Sequence, residues 1–139
     1  MRQIILDAGP LIGFFSDQDT YHEQCVTGFQ QLAQAKVSRL VPLPIVFEVY
    51  KWVLQRSYPQ AAWKALQVTE QNCQILEVNS QDFKELKAII TKLPKWTGSL
   101  EDGTVMLTAV QHSCPIWTYN FRDFSSFQAL EFWNPNLKD

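Results

Sequence analysis

Five positions in this 139-residue chain carry side chains that could do chemistry together: Asp7, Glu48, Asp102, Asn120 and Asp123. Asp7 closes the apolar run QIIL and is followed at once by Ala8, Gly9 and Pro10. Glu48 stands in PIVFEVYKWVL, where apolar neighbours make a buried carboxylate expensive unless something pairs with it. Asp102 lies in GSLEDGTVMLTAV, and Asn120 and Asp123 lie in WTYNFRDF. Each has a plain structural reading: Asp7 caps a helix, Glu48 faces solvent, Asp102 completes a capping box begun by Ser99, Glu101 favours the helix N-terminus, and 120–123 is an Asx-type turn. Together they carry a second reading. Carboxylates gathered in one cleft repel one another until a divalent cation neutralises them. Oxygen donors with no His or Cys beside them favour Mg²⁺ or Mn²⁺ over zinc. Such an ion keeps several waters and takes phosphate oxygens readily, which is the chemistry of phosphodiester hydrolysis. Gly103 fits that setting: glycine inside a helix costs about 1 kcal/mol against alanine, and a bare backbone there is expected to let another group approach the helix start.

These positions are far apart in the chain, so a scaffold must gather them. Gln3–Leu6 reads as a buried strand, continuous rather than alternating. Ala8–Phe15 reads as a short helix entered through Gly9 and Pro10, and Thr20–Lys36 as a second, with Cys25, Phe29 and Leu32 at helical spacing. A strand over Arg39–Pro42 is followed by helices over Leu43–Gln55, with Pro44 in its first turn, and Pro59–Asn72. A strand over Gln74–Val78 leads to a helix over Ser80–Leu93, capped by Ser80. Ser99–His112 is helical, Pro115–Thr118 is a strand, Tyr119–Ser126 is a loop or short turn, and Ala129–Trp133 is a last strand. Strands alternating with helices predict an α/β fold, a small parallel sheet of about five strands with helices on both faces. Ligands of such sheets sit outside the carboxyl ends of the strands. That edge receives Asp7 and the 118–123 segment, and two helix starts can aim Glu48 and Asp102 at it.

Composition bounds the rest. A hydrophobic fraction of 46% over 139 residues suits one domain with one core. No apolar run reaches membrane-spanning length, and the N-terminus turns acidic too soon for a signal peptide. Cys25, Cys73 and Cys114 form no CxxC pair, so neither a zinc site nor a disulfide frame is expected, and a reduced cytoplasm is the expected home. A net charge of −2 does not mark a nucleic-acid binder, so any such substrate must be gripped locally or through metal.

Four segments in order resemble the motifs of PIN-domain ribonucleases, in particular the small VapC-like toxins of toxin–antitoxin pairs. IILDAGPLIGFF is similar to the first motif, a strand ending in an acid before a small-residue turn. Glu48 in PLPIVFEVY falls on the second, a helical glutamate, and Asp102 in SLEDGTVMLTA on the third, an Asp at a helix start. WTYNFRDF resembles the fourth, with Thr118, Asn120 and Phe124, although Asn120 stands where the fully acidic pattern has a carboxylate. The resemblance covers nearly the whole chain. It implies a three-layer α/β/α PIN-like fold, RNA as substrate, a homodimer and an antitoxin partner.

On this reading Asp7, Glu48 and Asp102 hold one Mg²⁺ or Mn²⁺, partly through water, and Asn120 and Asp123 complete the site or a weaker second one. Glu48 or Asp102 takes a proton, Thr118 orients a ligand or water, and Arg122 touches substrate phosphate. Lys51, Arg56, Lys92 and Lys95 are further candidates for phosphates, and Trp96 or Tyr50 for bases, set against their reading as solvated charges and core rings. Val49, Trp52 and Val53 are compatible with a dimer interface. The main rival is a PIN-like module that binds RNA or protein without cutting, with Asn120 in its favour. A phosphoacceptor domain wants an acid pair after the first strand, a lone Asp after the third and a lysine near the end of the last, whereas here the third ends Glu77-Val78-Asn79 and the last Trp133-Asn134; a Rossmann-type binder wants a GxGxxG that does not follow the first strand.

Overall fold

The computed structural model describes residues 1–127 and 129–135. In chain order the elements are β1 (Gln3–Leu6), α1 (Ala8–Phe15), α2 (His22–Gln34), β2 (Ser38–Pro42), α3 (Leu43–Arg56), α4 (Pro59–Asn72), β3 (Gln74–Leu76), α5 (Ser80–Ile90), α6 (Leu100–His112), β4 (Ile116–Trp117) and α7 (Phe121–Phe124). The four strands form one parallel sheet in the order β3-β2-β1-β4, flanked by helices in the expected three-layer α/β/α arrangement. Register is set by Ile4 opposite Arg39, Ile5 opposite Ile116 and Val41 opposite Ile75. Ile4, Ile5 and Leu6 are fully buried, which is why β1 reads as a continuous apolar run: helices cover both faces of the sheet.

The expected fifth strand contracts to one parallel bridge, Ile116 to Phe132, with the Ile116 and Trp133 amides donating across it. Phe132 and Trp133 serve packing instead. Trp133 meets the buried Trp117 edge-on at 5.0 Å, and Phe132 packs against Phe121 and Phe124. The 118–123 loop also holds a short helix, α7. Asn79, rather than Ser80, caps α5, in a reciprocal capping box with Asp82.

Two glycines record close packing. A Cβ on Gly28 would meet the Trp117 ring and Pro135 Cγ at 2.8 Å, so α2 lies hard against the end of β4. A Cβ on Gly103 would meet Leu86 Cδ1 at 2.8 Å. The close approach expected at Gly103 is therefore that of α5 on α6, not of a ligand. Among the described residues no helix is long and apolar enough to cross a membrane.

The strand order fixes where a site can form. From β1 the chain builds outward to β2 and β3, then returns to place β4 on the other side of β1. Connections diverge at that switch, leaving a crevice beyond the carboxyl ends of β1 and β4. Asp7 follows β1 and Thr118 follows β4.

Candidate functional site

The crevice is built around Asp7. The β1–β4 pairing runs one residue past β1, with the Asp7 amide donating to the Trp117 carbonyl at 3.1 Å. The Asp7 side chain is 4% exposed. Its Oδ1 accepts the Ala8 N–H at 2.8 Å, capping α1, and its Oδ2 accepts the Thr118 hydroxyl at 2.6 Å. The capping and site readings of Asp7 thus hold together: one carboxylate oxygen starts the helix, and the other ties β1 to β4.

Thr118 passes the network on. It is fully buried, and its Oγ1 accepts the Asn120 backbone N–H at 2.9 Å while donating to Asp7. The Asn120 side-chain amide then donates to Asp102 Oδ2 at 3.1 Å and to Asp123 Oδ2 at 2.9 Å. Only the amide nitrogen can face two carboxylates, so its orientation is fixed by chemistry. Ser99 caps α6 through the Asp102 N–H at 3.1 Å, and Thr97 Oγ1 reaches Asp123 Oδ1 at 3.5 Å. A continuous chain of neutral donors therefore links Asp7, Asp102 and Asp123.

Glu48 stands apart from it. It sits half-buried on the first turns of α3, and its carboxylate takes no hydrogen bond among the described residues. Burial, then the charges of Asp7, Asp102 and Glu101, push it up to about 7. Asp102 is pushed up to about 6, by burial first and then by Asp7, with the Ser99 hydrogen bonds acting against this and Asp123 adding to it. Asp7 is raised chiefly by burial, opposed by Thr118 and the Ala8 amide. These groups feel each other's charge, so Asp7, Glu48, Asp102 and Asp123 share one locality. Glu101 belongs with them. Its helix-start position explains it locally, and its adjacency to Asp102 was the one signal of a further role. Arg122 is exposed and pairs with no acid among the described residues.

The donor set suits a hard divalent cation: every group is an oxygen acid or a neutral polar donor, and among the described residues no Lys or Arg offsets the charge. Among the described residues no three His, Cys, Asp or Glu side chains converge closely enough to grip one ion directly. A cation here would be held partly through water, as Mg²⁺ commonly is.

The remaining candidates separate from this centre. Val49 and Val53 are buried in the core, so they cannot form the expected dimer face; the exposed apolar side chains of α3 are Phe47 and Leu54. The Arg56 guanidinium lies 4.4 Å over the Trp52 ring. Trp96 and Tyr50 pack against the core, Trp96 beside Phe124. Lys51, Lys92 and Lys95 are exposed. A groove of about 1050 Å³ runs past Asp17, Trp52, Arg56, Tyr58 and Lys64, and none of the clustered acids lines it.

No family model and no curated protein matches the chain. Solved structures do. VapC20 of Mycobacterium tuberculosis, described as a sarcin-ricin loop cleaving toxin, matches with a TM-score of 0.76 at 11% identity, covering 89% of this chain and 95% of that one. VapBC2 of Rickettsia felis, bound to a DNA fragment from its promoter, matches with a TM-score of 0.77 at 12% identity, covering 96% and 99%. A toxin–antitoxin complex from Klebsiella pneumoniae matches with a TM-score of 0.65 at 21% identity, covering 96% and 98%. At these identities the likeness is one of fold, and the chain adopts the α/β PIN-type fold of the VapC toxins.

Proposed function

We propose that this protein is a Mg²⁺- or Mn²⁺-dependent endoribonuclease, hydrolysing RNA phosphodiester bonds as the toxin of a VapBC-type toxin–antitoxin pair. The observation that carries the reading is Glu48: a half-buried carboxylate with no hydrogen-bond donor among the described residues, held among three other acids at the sheet switch point. A fold gains nothing in stability from that arrangement. It is intelligible as a site that awaits a cation and a substrate.

Asp7, Glu48 and Asp102 would hold the ion, with Asn120 presenting its amide oxygen only after releasing the two carboxylates. The ion supplies the positive charge that a phosphodiester needs as charge develops in hydrolysis. Glu48 or Asp102 would take a proton from the attacking water. Thr118 keeps Asp7 in place, Asn120 spaces Asp102 from Asp123, and Arg122 is free to meet a substrate phosphate. The fold likeness to VapC toxins and VapBC complexes supports an antitoxin partner, and a homodimer and a cytoplasmic location are proposed with it.

Asn120 favours a second reading, a PIN-like module that binds RNA or protein without cutting it. Incubation of a mixed structured RNA pool with Mg²⁺ or Mn²⁺ separates the two. Metal-dependent cutting that disappears in Asp7→Asn and Asp102→Asn, and in chelator, is expected. No cutting, and no metal uptake by calorimetry, establishes the binding module instead.

A further inference from the structure

Beside the acids lies a pair of rings that the hydrolytic chemistry does not use. Tyr119 sits between Thr118 and Asn120, so its backbone belongs to the site. Its ring packs on the first turn of α1, where a Cβ on Gly9 would lie 3.3 Å from Tyr119 Cδ2. Its hydroxyl donates to Gln24 Oε1 at 2.7 Å and accepts Trp117 Nε1–H at 3.3 Å and the Cys25 thiol at 3.7 Å. Tyr21 stacks on that fixed ring, with centroids 4.1 Å apart and planes within 9°. Tyr21 itself is 44% exposed, and among the described residues no other ring meets it.

Position adds an independent observation. Tyr21 is the residue at the N-cap of α2, and its side chain makes no capping hydrogen bond. Asp19 Oδ1 accepts the Tyr21 N–H at 2.8 Å, which fixes the turn and the ring it carries. An exposed aromatic held parallel to an immobilised ring, whose residue lies between Thr118 and Asn120 in the chain and packs on Gly9, is a stacking surface.

We infer that the outer face of Tyr21, backed by Tyr119, is a subsite for one unpaired nucleobase of the RNA beside the cleaved phosphate. The inference rests on the ribonuclease reading. Base–aromatic stacking tolerates any base, so this subsite contributes affinity for single-stranded RNA rather than sequence choice. Tyr21→Phe keeps the stack and Tyr21→Ala removes it.

The test is binding, in chelator, of a fluorescein-labelled single-stranded oligoribonucleotide to full-length wild type, Tyr21→Phe and Tyr21→Ala, with melting curves to confirm that each folds. The expected result is wild-type affinity for the Phe variant and a loss of roughly tenfold or more for the Ala variant. An oligonucleotide series with one abasic position moved along it should contain a position where wild type and Tyr21→Ala bind alike. Equal affinity of all three proteins for every oligonucleotide overturns the subsite and leaves RNA binding standing. No binding by wild type overturns the subsite and leaves the ribonuclease reading to the metal-dependent cutting of the RNA pool, since the acids are uncompensated in chelator. Loss of affinity in the Phe variant as well overturns stacking, since the ring is still present.

Discussion

Replacing Glu48 by Gln should make the metal-free protein more stable while abolishing cleavage. The carboxyl is lifted from 4.5 to about 7. At about 1.4 kcal/mol for each tenfold change in ionisation, holding it charged in the fold costs roughly 3 kcal/mol. Water reaches part of the side chain, and screening reduces this to roughly 1–2 kcal/mol. The sign follows from proton binding: between pH 4.5 and about 7 the folded state binds more protons at Glu48 than the unfolded state, so wild-type stability falls as pH rises through that window. The Gln variant lacks this loss. Thermal melts in chelator at about pH 8 should place its midpoint some 3–6 °C above wild type, with the gap closing towards pH 4.5, where both side chains are neutral. Adding Mg²⁺ should then raise the wild-type midpoint more than that of the variant. An unchanged or lowered midpoint at about pH 8, or a gain that persists undiminished at low pH, refutes the placing of Glu48 among uncompensated acids.

Other expected outcomes follow from the same geometry. Thr118→Val leaves Asp7 Oδ2 buried without its donor and should cost about 1–3 kcal/mol in urea unfolding, whereas Thr118→Ser should restore most of it. Asn120→Asp replaces a donor shared by Asp102 and Asp123 with a third charge. The metal-free melting midpoint should drop by several degrees, and Mn²⁺ should recover more stability than it adds to wild type. Gly28→Ala drives a methyl into the buried Trp117 ring. Urea unfolding should show a loss of about 1–3 kcal/mol despite alanine's better helix propensity.

The residues that lay legible in the sequence are those whose local pattern and global role agree. Ile4, Ile5 and Leu6 are fully buried because helices cover both sheet faces, and the acid after them had to land at a strand end. The helix bearing Asp102 announced itself through Ser99, which does cap it. What stayed hidden depends on contacts between distant segments. The donor role of Asn120 needs Asp102 and Asp123 on either side, which spacing alone does not reveal. Val49 and Val53 looked available for an interface because an apolar helix face does not say what covers it; here the core does. Gly103 signalled close approach correctly, yet the neighbour is Leu86. The last strand carried the right composition, but the ladder stops after a single bridge, where Trp133 packs on the buried Trp117.

The pairing of β1 with β4 joins Ile5 to Ile116, and this has a meaning for the cell during synthesis. A ribosome that has released residues 1–98 has delivered Asp7 and Glu48 but none of Asp102, Thr118, Asn120 or Asp123. The partner that fixes Asp7, and the donor that joins the other acids, arrive only with the segment after α6. Contacts of such large sequence separation also form late, because a long loop must close first. On the proposed ribonuclease reading, the chain is thereby kept inert while its own message is still being read. The sheet order acts as a timer, and a circular permutant that places β4 ahead of β1 would remove the delay without altering one residue of the site.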